Sequence, residues 1–255
     1  MGEATIGPET EARLDREENV MLPRIDRAPA KYWTRAGPVR GPLARQDTEV
    51  LSERVQAATA DPVALGLAGF ASARFTIGSI YAGWFGFSPG EFAIAIPVAL
   101  IFGGITPFLA GMWAFRRGHL LAATVFATFG SFNASWAVLQ WMMVAGLAPA
   151  IANGGSAGYV DGVAVLTFSL IAFYLGLAAL TENLGLAAVL FMMTLTHAFL
   201  GAWAMAPHVT WLRVVGGYCS IVSASLAFLV SATIVINSAL GRELIPLIGL
   251  RSAQR

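Results

Sequence analysis

One charge interrupts a long apolar run. Arg74 lies between Pro62 and Phe85, and the nearest charged residues along the chain are Asp61 and Glu91. At bilayer depth a guanidinium costs at least ~2.5–3.5 kcal/mol unless it meets a partner, a ligand or water, so an intramembrane arginine is a candidate for function before it is anything else. At helical spacing Leu67, Phe70, Arg74, Ile77, Gly78 and Tyr81 share one stripe, which sets the cation one turn beyond an aromatic ring. A ring that narrows a path, followed by a charge that lowers the barrier to an anion, suits a conduit for carboxylates. The second reading is a structural ion pair, with Asp161 or Glu91 as the partner, or an interface contact. The sequence leaves both open.

The other reactive side chains form no constellation. The three histidines, His119, His197 and His208, have no H-x-x-x-H spacing, and Cys219 is the only cysteine. Neither a metal centre nor a disulfide is therefore expected. No glycine-rich phosphate loop precedes a helix, since Gly103-Gly104 sits inside a hydrophobic run. The expectation is a chain with no catalytic residues and no cofactor, hence no enzyme. His197 reads first as a packed residue donating to a backbone carbonyl or a hydroxyl, and second as a proton relay.

The elements that must position Arg74 follow from composition. Hydrophobic residues make up 56% of the 255 residues and charged ones 12%, which places the chain in the membrane class. Residues 1–60 hold nine of the 16 Lys and Arg and ten of the 15 Asp and Glu, with five prolines. That mixture cannot bury enough apolar surface to offset chain entropy, so 1–60 is expected to be an extended cytoplasmic arm. Its signs nearly cancel and no nucleic-acid footprint is present. It also lacks the apolar h-region of a cleaved signal peptide. Tyr32 and Trp33, beside Lys31 and Arg35, would suit membrane lipid or another subunit.

Asp61 as N-cap and Pro62 in the first turn open a helix. Six apolar segments follow, at 63–85, 88–115, 120–146, 159–180, 184–206 and 211–239. The fold class is therefore all-α integral membrane, with six transmembrane helices per protomer in a domain 61–240 and a short tail 241–255. Arg116-Arg117 and the basic tail place both termini on the cytoplasmic side by the positive-inside rule. Rows of small residues (Gly78 and Ala82, Gly130 and Ala134, Ser220 and Ala224, Ser223, Ala227 and Ser231) fit either tight packing within the chain or contacts between copies.

Two blocks and the C-terminal end carry a resemblance. Asp61-Pro62-Val63-Ala64-Leu65-Gly66-Leu67 leads to Gly69-Phe70. Gly103-Gly104, Ala110-Gly111, Arg116-Arg117-Gly118 and Phe129-Gly130-Ser131-Phe132 follow in order, and Gly241-Arg242-Glu243-Leu244-Ile245-Pro246 ends the series. Over residues 61–249 the chain resembles the acetate/succinate uptake family, the succinate–acetate permeases and their fungal relatives. The resemblance implies a plasma (inner) membrane homo-oligomer, a hexamer, in which each protomer passes acetate, succinate and similar small carboxylate anions. It also implies an apolar constriction at Phe70, Phe129 and, through Thr194-Leu195-Thr196, Leu195, with Ala227 influencing substrate size. Asp61 replaces the family's Asn, Ala64 a Pro, Pro107 a Gln, Ala114 a Glu, Phe129 a Tyr and Asn133 an aromatic, while Arg74 stands where a small uncharged residue is usual. The expected function is a channel or proton-linked transporter, with Arg74, Asp61 and Asn133 as the polar groups on the path. The alternative is a non-transporting relative that serves as a structural subunit, docking through its arm and through Trp33, Trp84 and Trp203.

Overall fold

The computed structural model describes residues 60–148 and 156–242. The expectations for the arm and for the tail beyond Arg242 lie outside the described residues. Within them the chain is helical. It has six helices long and apolar enough to cross a membrane: α1 (Pro62–Ala82), α2 (Pro89–Arg116), α3 (Leu120–Val144), α4 (Ser156–Ala179), α5 (Leu184–Met205) and α6 (Thr210–Leu240). This is a multi-pass membrane protein. Its outer surface agrees, since Ile101, Phe102, Ile105, Phe108, Leu109 and Met112 along α2 all stand exposed, an apolar face that hydrocarbon solvates without cost.

The helix ends follow their residues. Asp61 Oδ1 accepts from the Val63 N–H at 2.9 Å and starts α1. Gly83, at φ 85°, stops it, in a left-handed conformation that a side chain would strain. Arg213 of α6 then donates from Nη1 to the Tyr81 carbonyl at 2.7 Å, and its guanidinium lies 4.4 Å from the Phe87 ring centre. Arg213→Met should leave the Tyr81 carbonyl without this donor and cost about 1–3 kcal/mol. The check is a drop of several degrees in the melting temperature of the detergent-purified protein. Glu91 caps α2 reciprocally with Ser88, accepting from the Ser88 N–H at 2.8 Å and also from its hydroxyl.

α2 is irregular between its two internal prolines. A π-helical turn, Ala99–Ile105, separates Pro89–Val98 from Thr106–Arg116. Pro97 and Pro107 cannot donate a backbone hydrogen bond, and the wider turn takes up the resulting mismatch. It also presents Gly103 and Gly104 inward. A methyl on Gly103 would lie 2.6 Å from the Ala73 Cβ of α1, and one on Gly104 3.0 Å from the Ala134 Cβ of α3.

The helices close a ring in which α1 packs on α6 and α2, α2 on α3, α4 on α5, and α5 on α6. Small residues make these contacts within the chain: Gly78 meets Ser220, Gly217 lies hard against the Tyr81–Ala82 backbone, and Gly130 meets the Phe108 N–H. Serine hydroxyls add bonds across helices, from Ser220 to the Arg74 carbonyl (3.0 Å), Ser231 to Ala64 (2.7 Å) and Ser223 to Val189 (3.0 Å). The small-residue rows are thus used for packing inside one chain. Gly130→Ala, whose new methyl would sit 2.7 Å from the Phe108 nitrogen, should force α2 off α3. The expected cost is about 1–3 kcal/mol, checked by thermal unfolding in detergent. The α3–α4 seam differs: these two backbones barely meet, and aromatic side chains fill the gap, with Phe132 and Phe168 ring centres 4.2 Å apart.

Candidate functional site

Three stripes at three- and four-residue spacing face the axis of the ring. α1 contributes Leu67, Phe70, Arg74, Ile77 and Tyr81, α3 contributes Phe126, Phe129, Phe132, Trp136 and Gln140, and α5 contributes Leu190, Met193, His197, Leu200 and Ala204. Along these stripes the structure has two cavities. Leu67, Phe70, Phe126, Phe129, Leu190 and Met193 enclose one of about 10 Å³, with Pro107 of α2 in its wall. That is at or below the volume one water needs, roughly 10–15 Å³ by the same measure, and the wall is apolar, so the constriction is dry. The second, of about 50 Å³, lies toward the end bearing the 83–88 connection. It is well above the volume needed to hold water, and Arg74, Tyr81, Trp136, Gln140, Asp161 and His197 line it.

A layer of rings separates the two. The Phe129 and His197 rings stack with centres 5.8 Å apart at 25°, and Phe132 meets His197 edge-on at 5.1 Å. His197 Nδ1 lies 2.9 Å from the Met193 carbonyl. A carbonyl only accepts, so Nδ1 carries the proton and donates, and in the neutral ring Nε2 presents a lone pair.

Arg74 is 4% exposed, and its Nε and Nη2 have no hydrogen-bond partner. Among the described residues it forms no ion pair. Glu91 is engaged at the α2 cap, and Asp161 shares the chamber with Arg74 without closing on it. The ion-pair reading of Arg74 therefore has no contact behind it. The two unsatisfied atoms are adjacent donors on one edge of the guanidinium, the pair that receives a carboxylate side-on with two parallel bonds. Electrostatically the chamber holds one desolvated cation in a low-dielectric surround, and the one carboxylate in its lining, that of Asp161, belongs to an exposed residue.

The sequence-derived site residues separate into those on the axis and those off it. Phe70, Phe129 and Arg74 come together there. Leu195 does not: it is 40% exposed and lines neither cavity, because the inward stripe of α5 runs through Leu190, Met193 and His197, and Leu195 falls between its turns. Leu190 and Met193 stand in the constriction instead. Asp61 is exposed and serves as the α1 cap, away from both cavities. Ala227 is buried in the apolar core and lines neither. Asn133 is buried beside Gly103 and donates from Nδ2 to the Phe129 carbonyl at 2.9 Å, which leaves Oδ1 without a partner. Trp203, expected at the lipid surface under the subunit reading, lines the chamber and packs edge-on against Tyr81 at 6.0 Å. The sequence reading missed Trp136 and Gln140 on the chamber's far wall; it had His197 as a packed residue donating to a backbone carbonyl, the bond made to Met193, without placing it in the lining. Their spacing with Phe129, Phe132 and Met193 was the signal available.

Known proteins are similar to this chain in sequence and in fold. The succinate-acetate/proton symporter SatP of Escherichia coli is 26% identical over 188 residues, which covers 74% of this chain and 95% of that protein. A protein of Methanothermobacter thermautotrophicus is 24% identical over 206 residues, covering 79% of this chain and 96% of its own. The solved structure of the bacterial acetate channel SatP superposes with a TM-score of 0.65 at 21% identity, covering 74% of this chain and 99% of that one, a likeness of fold. The sequence model of the GPR1/FUN34/yaaH family matches residues 45–245. Together with the six-helix architecture, that match over most of its length makes this chain a member of the GPR1/FUN34/yaaH family.

Proposed function

We propose that the chain passes short carboxylate anions across the plasma (inner) membrane along the axis of its helix ring, as a channel or proton-linked transporter. The conformation described is the closed one. The observation that carries this is Arg74, buried with two adjacent unsatisfied donors, in a chamber of about 50 Å³ directly beyond a dry constriction on the same axis. An unpaired cation in that place is costly without an anion to receive, and the chamber matches the size of a two-carbon acid. The succinate and acetate in the names of SatP and of the acetate channel support the same substrate class. Phe70 and Phe129 form the gate and Arg74 the lure. Asn133 lends polarity behind it, through its free Oδ1.

Both termini lie in the cytoplasm on this reading, and the exposed apolar face of α2 meets lipid or a second copy in a homo-oligomer, as the family resemblance implies. Liposomes holding the purified protein should accumulate labelled acetate and succinate above empty liposomes. Arg74→Gln, assembled normally, should lose most of that uptake. Uptake unchanged by the substitution removes Arg74 from the path and the reading with it.

A further inference from the structure

Arg74 is one of two buried, unpartnered polar groups in the chamber. The other is His197, 1% exposed, whose Nε2 has no hydrogen-bond partner while Nδ1 is held by the Met193 carbonyl. The two ask for opposite things: the Arg74 edge offers two N–H donors to an oxyanion, and the neutral His197 ring offers one acceptor. A plain carboxylate such as acetate satisfies the first and leaves the second bare, since its remaining atoms are a methyl group. From this pairing we infer that the preferred ligand of the chamber is a small oxyacid anion that still carries one O–H, such as a two-carbon 2-hydroxy acid or hydrogencarbonate. Its oxyanion lies on Nε and Nη2 of Arg74 and its hydroxyl donates to His197 Nε2. This deepens the carboxylate reading above and rests on it.

Size agrees with the chemistry. A chamber of about 50 Å³ is on the scale of an anion of four or five non-hydrogen atoms and small for an extended dicarboxylate in the closed state. The surroundings agree as well. Phe129, Phe132 and Phe168 pack around the imidazole with ring centres 5.1–6.4 Å away and supply no donor to Nε2. A site built to hydrogen-bond a hydroxyl discriminates against an analogue that lacks it because its own polar atom is then left buried and unpaired.

The test titrates the detergent-purified full chain with sodium glycolate, sodium acetate and sodium hydrogencarbonate, following the fluorescence of Trp136 and Trp203, which line the chamber. Wild type should bind glycolate about tenfold more tightly than acetate, the effect of one buried hydrogen bond. His197→Asn keeps an amide N–H in place of Nδ1 to hold the Met193 carbonyl but has nothing in place of Nε2. It should lose the preference, its glycolate-to-acetate affinity ratio falling to about one. His197→Gln, with its amide near the Nε2 position, should keep part of it. Equal affinity for glycolate and acetate in wild type overturns the inference, as does a preference that survives in His197→Asn. Proteoliposome uptake of acetate keeps the two readings apart: uptake without a hydroxyl preference removes only this inference, whereas absence of both uptake and anion binding removes the carboxylate reading and this one together.

Discussion

Arg74→Met is expected to make the protein more stable and nearly inactive at once. The substitution keeps an unbranched apolar stem and deletes a guanidinium that is 4% exposed with two unsatisfied donors. Relief of a buried, unpaired charge should stabilise the fold by about 2–3 kcal/mol, given the penalty for arginine at bilayer depth. For a chain of this size that is roughly 5–10 °C in melting temperature in detergent without added anion. Carboxylate uptake should fall about 10–100-fold, the loss of a two-bond charged contact. The opposite changes separate functional from structural use of a cation. Were Arg74 a structural tie, the same substitution would lower the melting temperature, and that result would sink the lure.

Shortening the ring between the cavities should have the second large effect. Phe129→Leu keeps the site apolar but removes the stack on His197 and opens a space next to a constriction of about 10 Å³. The succinate-to-acetate uptake ratio should rise on the order of tenfold, because the dicarboxylate is held back chiefly by the width of the dry segment. Met193→Ala should act in the same direction, since Met193 lines that segment. Leu195→Ala is the internal control: at 40% exposure and off the axis it should leave the ratio unchanged. A ratio that moves with Leu195 and not with Phe129 or Met193 would place the gate on another face of α5.

Much of this was legible in the residues, and the failures have physical causes. The bounds of the spans came through because caps and apolar runs are local: Asp61-Pro62 and Ser88-Pro89 start helices wherever they stand. The α1 stripe was legible for the same reason, as Leu67, Phe70, Arg74, Ile77 and Tyr81 are ordered by one helix's own period. Gly78, counted on that stripe, instead meets Ser220 of α6. What a single helix cannot reveal is its rotation against its neighbours. α5 is apolar nearly all round, so a local match to Thr194-Leu195-Thr196 pointed to Leu195, whereas packing on α4 and α6 turned Met193 and His197 inward. Asp61 illustrates the converse: its charge suggested a place on the path, and its backbone role as a cap uses it completely.

The seam between α3 and α4 has a mechanical consequence. Where two helices touch through glycines, as α2 and α3 do at Gly130, opening a gap means moving whole rods of backbone, a collective event of microseconds or longer. Phe129, Phe132 and Phe168 bridge the α3–α4 gap chiefly with side chains, and His197 of α5 packs against them. On the channel reading proposed above, turning such rings about their own torsions would clear a way through with every helix in place. A barrier of that kind would act as a turnstile set in a fixed frame, its traffic metered by the swing of a few rings.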